Sequence, residues 1–69
     1  MYEDVRKYIE NEFRSVFGIE PTEDVVERLI EEYKRVVKEF EEQGFTTEEA
    51  KILAKGVIRE AIKRAKHIT

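Results

Sequence analysis

The 69-residue chain has no cysteine and no tryptophan, and only one each of proline, histidine, serine, asparagine, glutamine and methionine. Without cysteine there can be neither a disulfide framework nor a thiolate metal site, a composition compatible with a reducing compartment. The short list of reactive side chains also bears on catalysis. Active sites assemble a positioned nucleophile, base or metal. Here His67 stands near the chain end with no Glu at i−3, so the Glu-x-x-His pairs of di-iron bundles are missing. Ser15 is distant in sequence from that histidine and reads as a surface residue of the first helix. No stretch has the Asp-x-Asp-x-Asp-Gly spacing of a calcium loop or the Gly-x-x-x-x-Gly-Lys of a phosphate loop. The expectation is a non-enzymatic protein with no cofactor, no metal and no small-molecule ligand.

Long apolar runs are lacking too. The longest, Ile52 to Ala54, is three residues, and Glu3, Asp4, Arg6 and Lys7 crowd the first turns. Neither a transmembrane span nor a signal peptide fits this pattern, so a soluble, cytoplasmic protein with no membrane partner is expected. Size sets a further bound. A chain this short forms one helical domain over 1–69 and buries only roughly 60% of its unfolded surface, so a second copy would add stability to a modest core.

What the chain has in quantity is charge: 42% of residues are Asp, Glu, Lys or Arg, and fourteen are Glu. Such a balance is shared by hyperthermophile proteins and designed helical proteins, and either origin implies a thermostable chain. The apolar residues between the charges repeat with helical spacing. Val5, Tyr8, Ile9, Phe13, Val16 and Phe17 follow i, i+3, i+4, i+7 and predict a helix over about 3–17. Gly18 stops it, Pro21 cannot continue it, and Thr22 with Glu23 and Asp24 supplies a cap and favourable first-turn charges for the next helix. In that second helix, about 22–43, Val25, Val26, Leu29, Ile30, Tyr33, Val36, Val37 and Phe40 occupy roughly 140° of arc at 100° per residue. Weak ion pairs of Glu31 with Arg35 and Lys38 with Glu42 are expected on its solvent side.

Gly44 is placed to end this helix in the left-handed conformation, with Phe45 folding back onto Phe40. The following "TTEE" is a capping box in which Thr46 and Glu49 satisfy each other's backbone amides. The third helix, about 47–67, carries an apolar stripe of Ala50, Ala54, Val57, Ile58, Ala61, Ala65 and Ile68, mostly small. The fold class predicted is all-α, a three-helix bundle in which helices 2 and 3 form an antiparallel hairpin with helix 1 across them. The stretch EEQGFTTEEAKILAKGVI, Glu41 to Ile58, resembles the helix, Gly-Phe-Thr turn and helix of several small helical domains, ubiquitin-associated domains and some mitochondrial coiled-coil proteins among them. Such a turn is what any tight helix-to-helix connection prefers, so the resemblance implies no function and no site residues.

Charge is distributed unevenly along the chain. Residues 1–50 hold seven Lys or Arg and fifteen Asp or Glu, whereas residues 51–69 hold six and one, a balance of −8 followed by +5. Cations in a last helical turn gain from the helix dipole, which accounts for Lys63, Arg64 and Lys66. It does not account for Lys55 and Arg59, which have no acid at i±3 or i±4, nor for Gly56 between them, since a mid-helix glycine costs about 1 kcal/mol against alanine. Ile52, Lys55, Gly56, Arg59, Lys63 and Lys66 therefore form the candidate interaction face. Three uses are expected of it in turn. The first is contact with an acidic protein partner or with a second copy in a homodimer, whose acidic counterpart would be Glu27, Glu31, Glu32, Glu39, Glu41 and Glu42. The second is weak, sequence-tolerant nucleic-acid binding, disfavoured by an overall pI near 5.2. The third is no ligand at all, as in a designed or redesigned helical scaffold, which the strong caps and clean patterning also fit.

Overall fold

The computed structural model describes residues 3–68, and the single domain expected over 1–69 reaches beyond them at both ends. Three helices, α1 (Glu3–Phe17), α2 (Glu23–Glu42) and α3 (Thr47–Ile68), follow one another with short connections. All three fall within one or two residues of their predicted bounds because their ends are chemically marked. Gly18 takes a φ of +75°, and its amide still bonds the Arg14 carbonyl at 2.8 Å, closing α1. The Thr22 hydroxyl accepts a bond from the Val25 amide at 3.3 Å and caps α2.

The α2–α3 connection carries both of its predicted motifs. Gly44 has a φ of +104°, the Phe45 amide reaches the Phe40 carbonyl at 3.1 Å, and the Gly44 amide reaches that of Glu41 at 3.0 Å. These are the paired bonds of a Schellman terminator. The Phe40 and Phe45 rings meet edge to face with centroids 5.6 Å apart. Directly afterwards the Glu49 amide donates to the Thr46 hydroxyl at 3.1 Å, while the Thr46 amide donates to the Glu49 carboxylate at 2.9 Å. Both halves of the capping box are thus made.

The helices pack into an all-α bundle in which α2 and α3 share the most extensive contact, as an antiparallel hairpin. Nine residues form its central cluster: Val5 and Ile9 from α1; Val26, Ile30, Tyr33 and Val36 from α2; Ala54, Ile58 and Ile62 from α3. The α2 arc is buried as its periodicity predicts. On α3 the buried line is Ala50, Ala54, Ile58 and Ile62, which corrects the alanine-centred stripe in three places. Ile62, outside that stripe, is buried, whereas Ala65 and Ile68, placed on it, are exposed, Ile68 by 84%. Two neighbours flank α3, so its inward direction is turned toward α1. Tyr8 donates to the Lys55 carbonyl at 3.0 Å, Glu12 stands 3.9 Å from Arg59, and Lys66 donates to the Val16 carbonyl at 2.8 Å. These contacts advance together along both helices, so α1 runs in the same sense as α3. It also meets the first half of α2, where Arg6 bonds Glu23 and Glu27.

Surface ion pairs differ in detail from those expected. Arg35 pairs with Glu32 and Glu39, and Glu31 pairs with Lys34. The i−3 and i+4 carboxylates bracket Arg35 and leave Glu31 to the lysine beside it. Arg14 bonds Glu20 across the α1–α2 connection. Hydrogen bonding to these arginines holds the Glu20 and Glu32 carboxyls below their ordinary values, against an opposing effect of burial. A depressed folded-state value contributes stability that is present above the unfolded-state value and lost as pH falls through the folded one. The Glu20→Gln, Glu32→Gln variant should therefore lose less melting temperature between pH 6 and pH 3 than the parent. Equal losses in a thermal scan would remove these pairs from the acid response.

Candidate functional site

The six residues of the predicted face divide into two sets once α1 is in place. Lys55, Arg59 and Lys66 lie on the side of α3 nearest α1 and are engaged by it. The Lys55 ammonium stands 5.5 Å from the centroid of the Tyr8 ring, within cation–π range, and its residue is half-buried. The Arg59 guanidinium is 3.9 Å from Glu12, a long and half-solvated pair that contributes little to stability by itself. Lys66 caps the Val16 carbonyl near the end of α1, where a cation also meets the negative end of that helix. Burial and then Glu12 push the Tyr8 phenol above its ordinary value, with Arg59 opposing. The like-charge row on α3 thus has an intramolecular counterpart, and Lys55 and Arg59 are no longer unaccounted for.

The second set lies on the outer side of α3, with Ile52 at the rim of a groove that Asp4 and Val5 of α1 also line. Ile52 is 71% exposed, one turn before Gly56. A methyl group placed on Gly56 would meet no atom within 4 Å beyond its own helix backbone. This glycine therefore answers no packing need within the bundle. Lys63 continues the row, exposed, with a loose 3.8 Å pair to Glu60. Ile52, Gly56 and Lys63 make a narrow outer strip: one large apolar side chain, a patch of accessible backbone and a cation, with Arg59 on its α1 flank, while Lys51 lies around the helix in the groove against Tyr33 and Val37 of α2. Leu53, 38% exposed, adds apolar surface beside Ile52.

The acidic side of α2 is largely compensated where it stands. Glu27 is held by Arg6, Glu31 by Lys34, and Glu32 and Glu39 by Arg35, while Glu41 accepts from the Thr47 hydroxyl at 2.6 Å. Among the described residues no three His, Cys, Asp or Glu side chains converge as a metal site requires, and no helix is long and apolar enough to cross a membrane. His67 is exposed at the end of α3.

Sequence reasoning missed Tyr8, Glu12 and Val16 as the residues that meet the basic row. The signal was available in their four-residue spacing, which matches that of Lys55 and Arg59. It also missed an apolar cleft of about 250 Å³ between α2 and α3, lined by Phe13, Phe17, Val25, Arg28, Leu29, Ala61, Ile62 and Ala65. No family model matches the chain, and no curated protein or solved structure matches it either.

Proposed function

We propose that the protein is a non-enzymatic interaction module whose outer α3 strip, Ile52, Gly56 and Lys63, docks an acidic helix of a protein partner. The observation that carries this reading is Gly56: a helix-interior glycine with open space above it, one turn from a 71%-exposed isoleucine. Such a glycine costs stability, and no internal contact in the bundle calls for it. Accessible backbone lets another helix approach closely. Lys63 on the same strip favours a carboxylate and would orient the partner, with an affinity that falls as salt rises. The compensated α2 surface favours an acidic partner in trans over a second copy. Engagement of Lys55, Arg59 and Lys66 by α1 likewise leaves fewer cations for a phosphate backbone, which ranks nucleic acid lower.

The test uses an acidic amphipathic helical peptide titrated into the labelled protein and followed by amide chemical shifts. Saturable, salt-sensitive shifts at Ile52, Gly56 and Lys63, abolished in the Ile52→Glu, Lys63→Glu variant, are the expected result. Equal binding by that variant would remove the strip from the proposal. Light scattering at two concentrations supplies the other arm: a mass near 16 kDa, twice the 8.2 kDa chain, would put a second copy in place of the acidic partner. Gly56→Ala separates stability from recognition. It should raise stability by about 1 kcal/mol, a melting increase of roughly 4 to 8 °C, while weakening the peptide.

A further inference from the structure

We infer that the cleft between α2 and α3 is a binding site for a small amphiphilic monocarboxylate of the medium-chain fatty acid class. This site is distinct from the outer α3 strip and does not rest on that reading. Its volume, about 250 Å³, exceeds the roughly 150 Å³ that accommodates benzene in an apolar protein cavity, so it has room for one ring or one short chain. The cleft exists because α3 presents Ala61 and Ala65 opposite Val25 and Leu29 of α2, so the facing side chains do not close the gap. Phe13 and Phe17, stacked with centroids 4.5 Å apart, form an aromatic wall from α1.

What selects a carboxylate is Arg28, the one polar residue among those lining the cleft. Arg6, Arg14, Arg35 and Arg59 each face a carboxylate of this chain. Arg28 forms no ion pair or hydrogen bond among the described residues. Of the carboxylates near it along α2, Glu27 is held by Arg6, Glu31 by Lys34 and Glu32 by Arg35, while Asp24, one turn back, makes no bond to it. A guanidinium offers two parallel donors that match a carboxylate, and here it stands at the edge of an apolar surface. The arrangement combines what an amphiphilic acid requires, a cation for the head and aromatic and aliphatic walls for the tail. An amine would meet the wrong charge, and an alcohol would leave the guanidinium without its counter-ion.

Octanoate, octan-1-ol and octylamine titrated separately into the intact chain, with amide and methyl shifts and calorimetry as readouts, test the assignment. The expected result is saturable octanoate binding, with shifts centred on Phe13, Phe17, Leu29, Ala61 and Ala65 and the negative heat-capacity change of apolar burial. Arg28→Gln, a substitution at an exposed position, should weaken octanoate by about fivefold and leave octanol unchanged, as expected for one solvent-screened ion pair. Ala61→Leu should fill the cleft and abolish binding of both. Should that variant fail to fold, Ala65→Val serves the same purpose nearer the cleft mouth. Absence of saturable shifts, equal affinity for octanoate and octylamine, or indifference of octanoate to Arg28→Gln would each overturn the inference.

Discussion

Ile58→Ala should lower the melting temperature by roughly 12 to 24 °C. Ile58 is fully buried, on the face of α3 that meets both other helices. Truncating a buried isoleucine costs about 2 to 5 kcal/mol, because the transfer energy of the lost methyl groups is joined by that of an unfilled cavity. In a domain of this size about 3 kcal/mol corresponds to the melting shift given above. That is a large share of the stability a single small core can supply, about 3 to 5 kcal/mol in general. The same substitution at Ile52, two turns earlier on α3 and 71% exposed, should stay within about 0.5 kcal/mol of the parent. Thermal unfolding of the two variants side by side separates burial from helix propensity, since residue type and helix are shared. Equal shifts would mean that α3 is turned differently in the bundle.

That comparison also shows where the sequence was legible. The turn chemistry of Gly18, Thr22, Gly44 and the Thr46–Glu49 box is local, so it can be read without knowing any neighbour, and helix ends came out within one or two residues. The burial of α2 was equally readable, because its eight large apolar residues define a single direction. On α3 the signal is diluted. Its inward face is built partly of alanine, whose hydrophobicity is small, so the centre of the stripe depends on where Ile58, Ile62 and Ile68 are assigned. The position of α1 decides among them, and no local rule supplies it. Packing against both helices turns Ile62 inward, and Ile68 is left on the exposed last turn.

The candidate face was half legible for the same reason. Charge counting located the basic row correctly on α3, but it assumed that cations without an acid on their own helix had no partner. Tyr8, Glu12 and the Val16 carbonyl provide those partners from another helix. Substituting Glu at Lys55 and Arg59 would set like charges beside Glu12 and remove the cation from the Tyr8 ring, so loss of binding in such a variant would be confounded with lost stability. Ile52 and Lys63 form no contact of this kind with α1, which makes them the cleaner positions for testing recognition.

Gly44→Ala should destabilise the protein by about 1 to 2 kcal/mol, while the identical change at Gly56 stabilises it. Both glycines have open space where a methyl group would be added, so steric crowding by other residues predicts no difference between them. The backbone does. Gly44 has a φ of +104°, where the Cβ of an L-residue crowds its own carbonyl, and the Schellman bonds of Phe45 and Gly44 depend on that conformation. Alanine must then either accept the strain or release the two amides and the Phe40–Phe45 contact with them. Gly56 has helical φ within α3, so alanine there only reduces the freedom of the unfolded chain and improves helix propensity. Chemical denaturation of the two single variants gives the signs directly. Opposite signs are expected, and a stabilising Gly44→Ala would show that the α2–α3 connection does not hold the terminator that orients the hairpin.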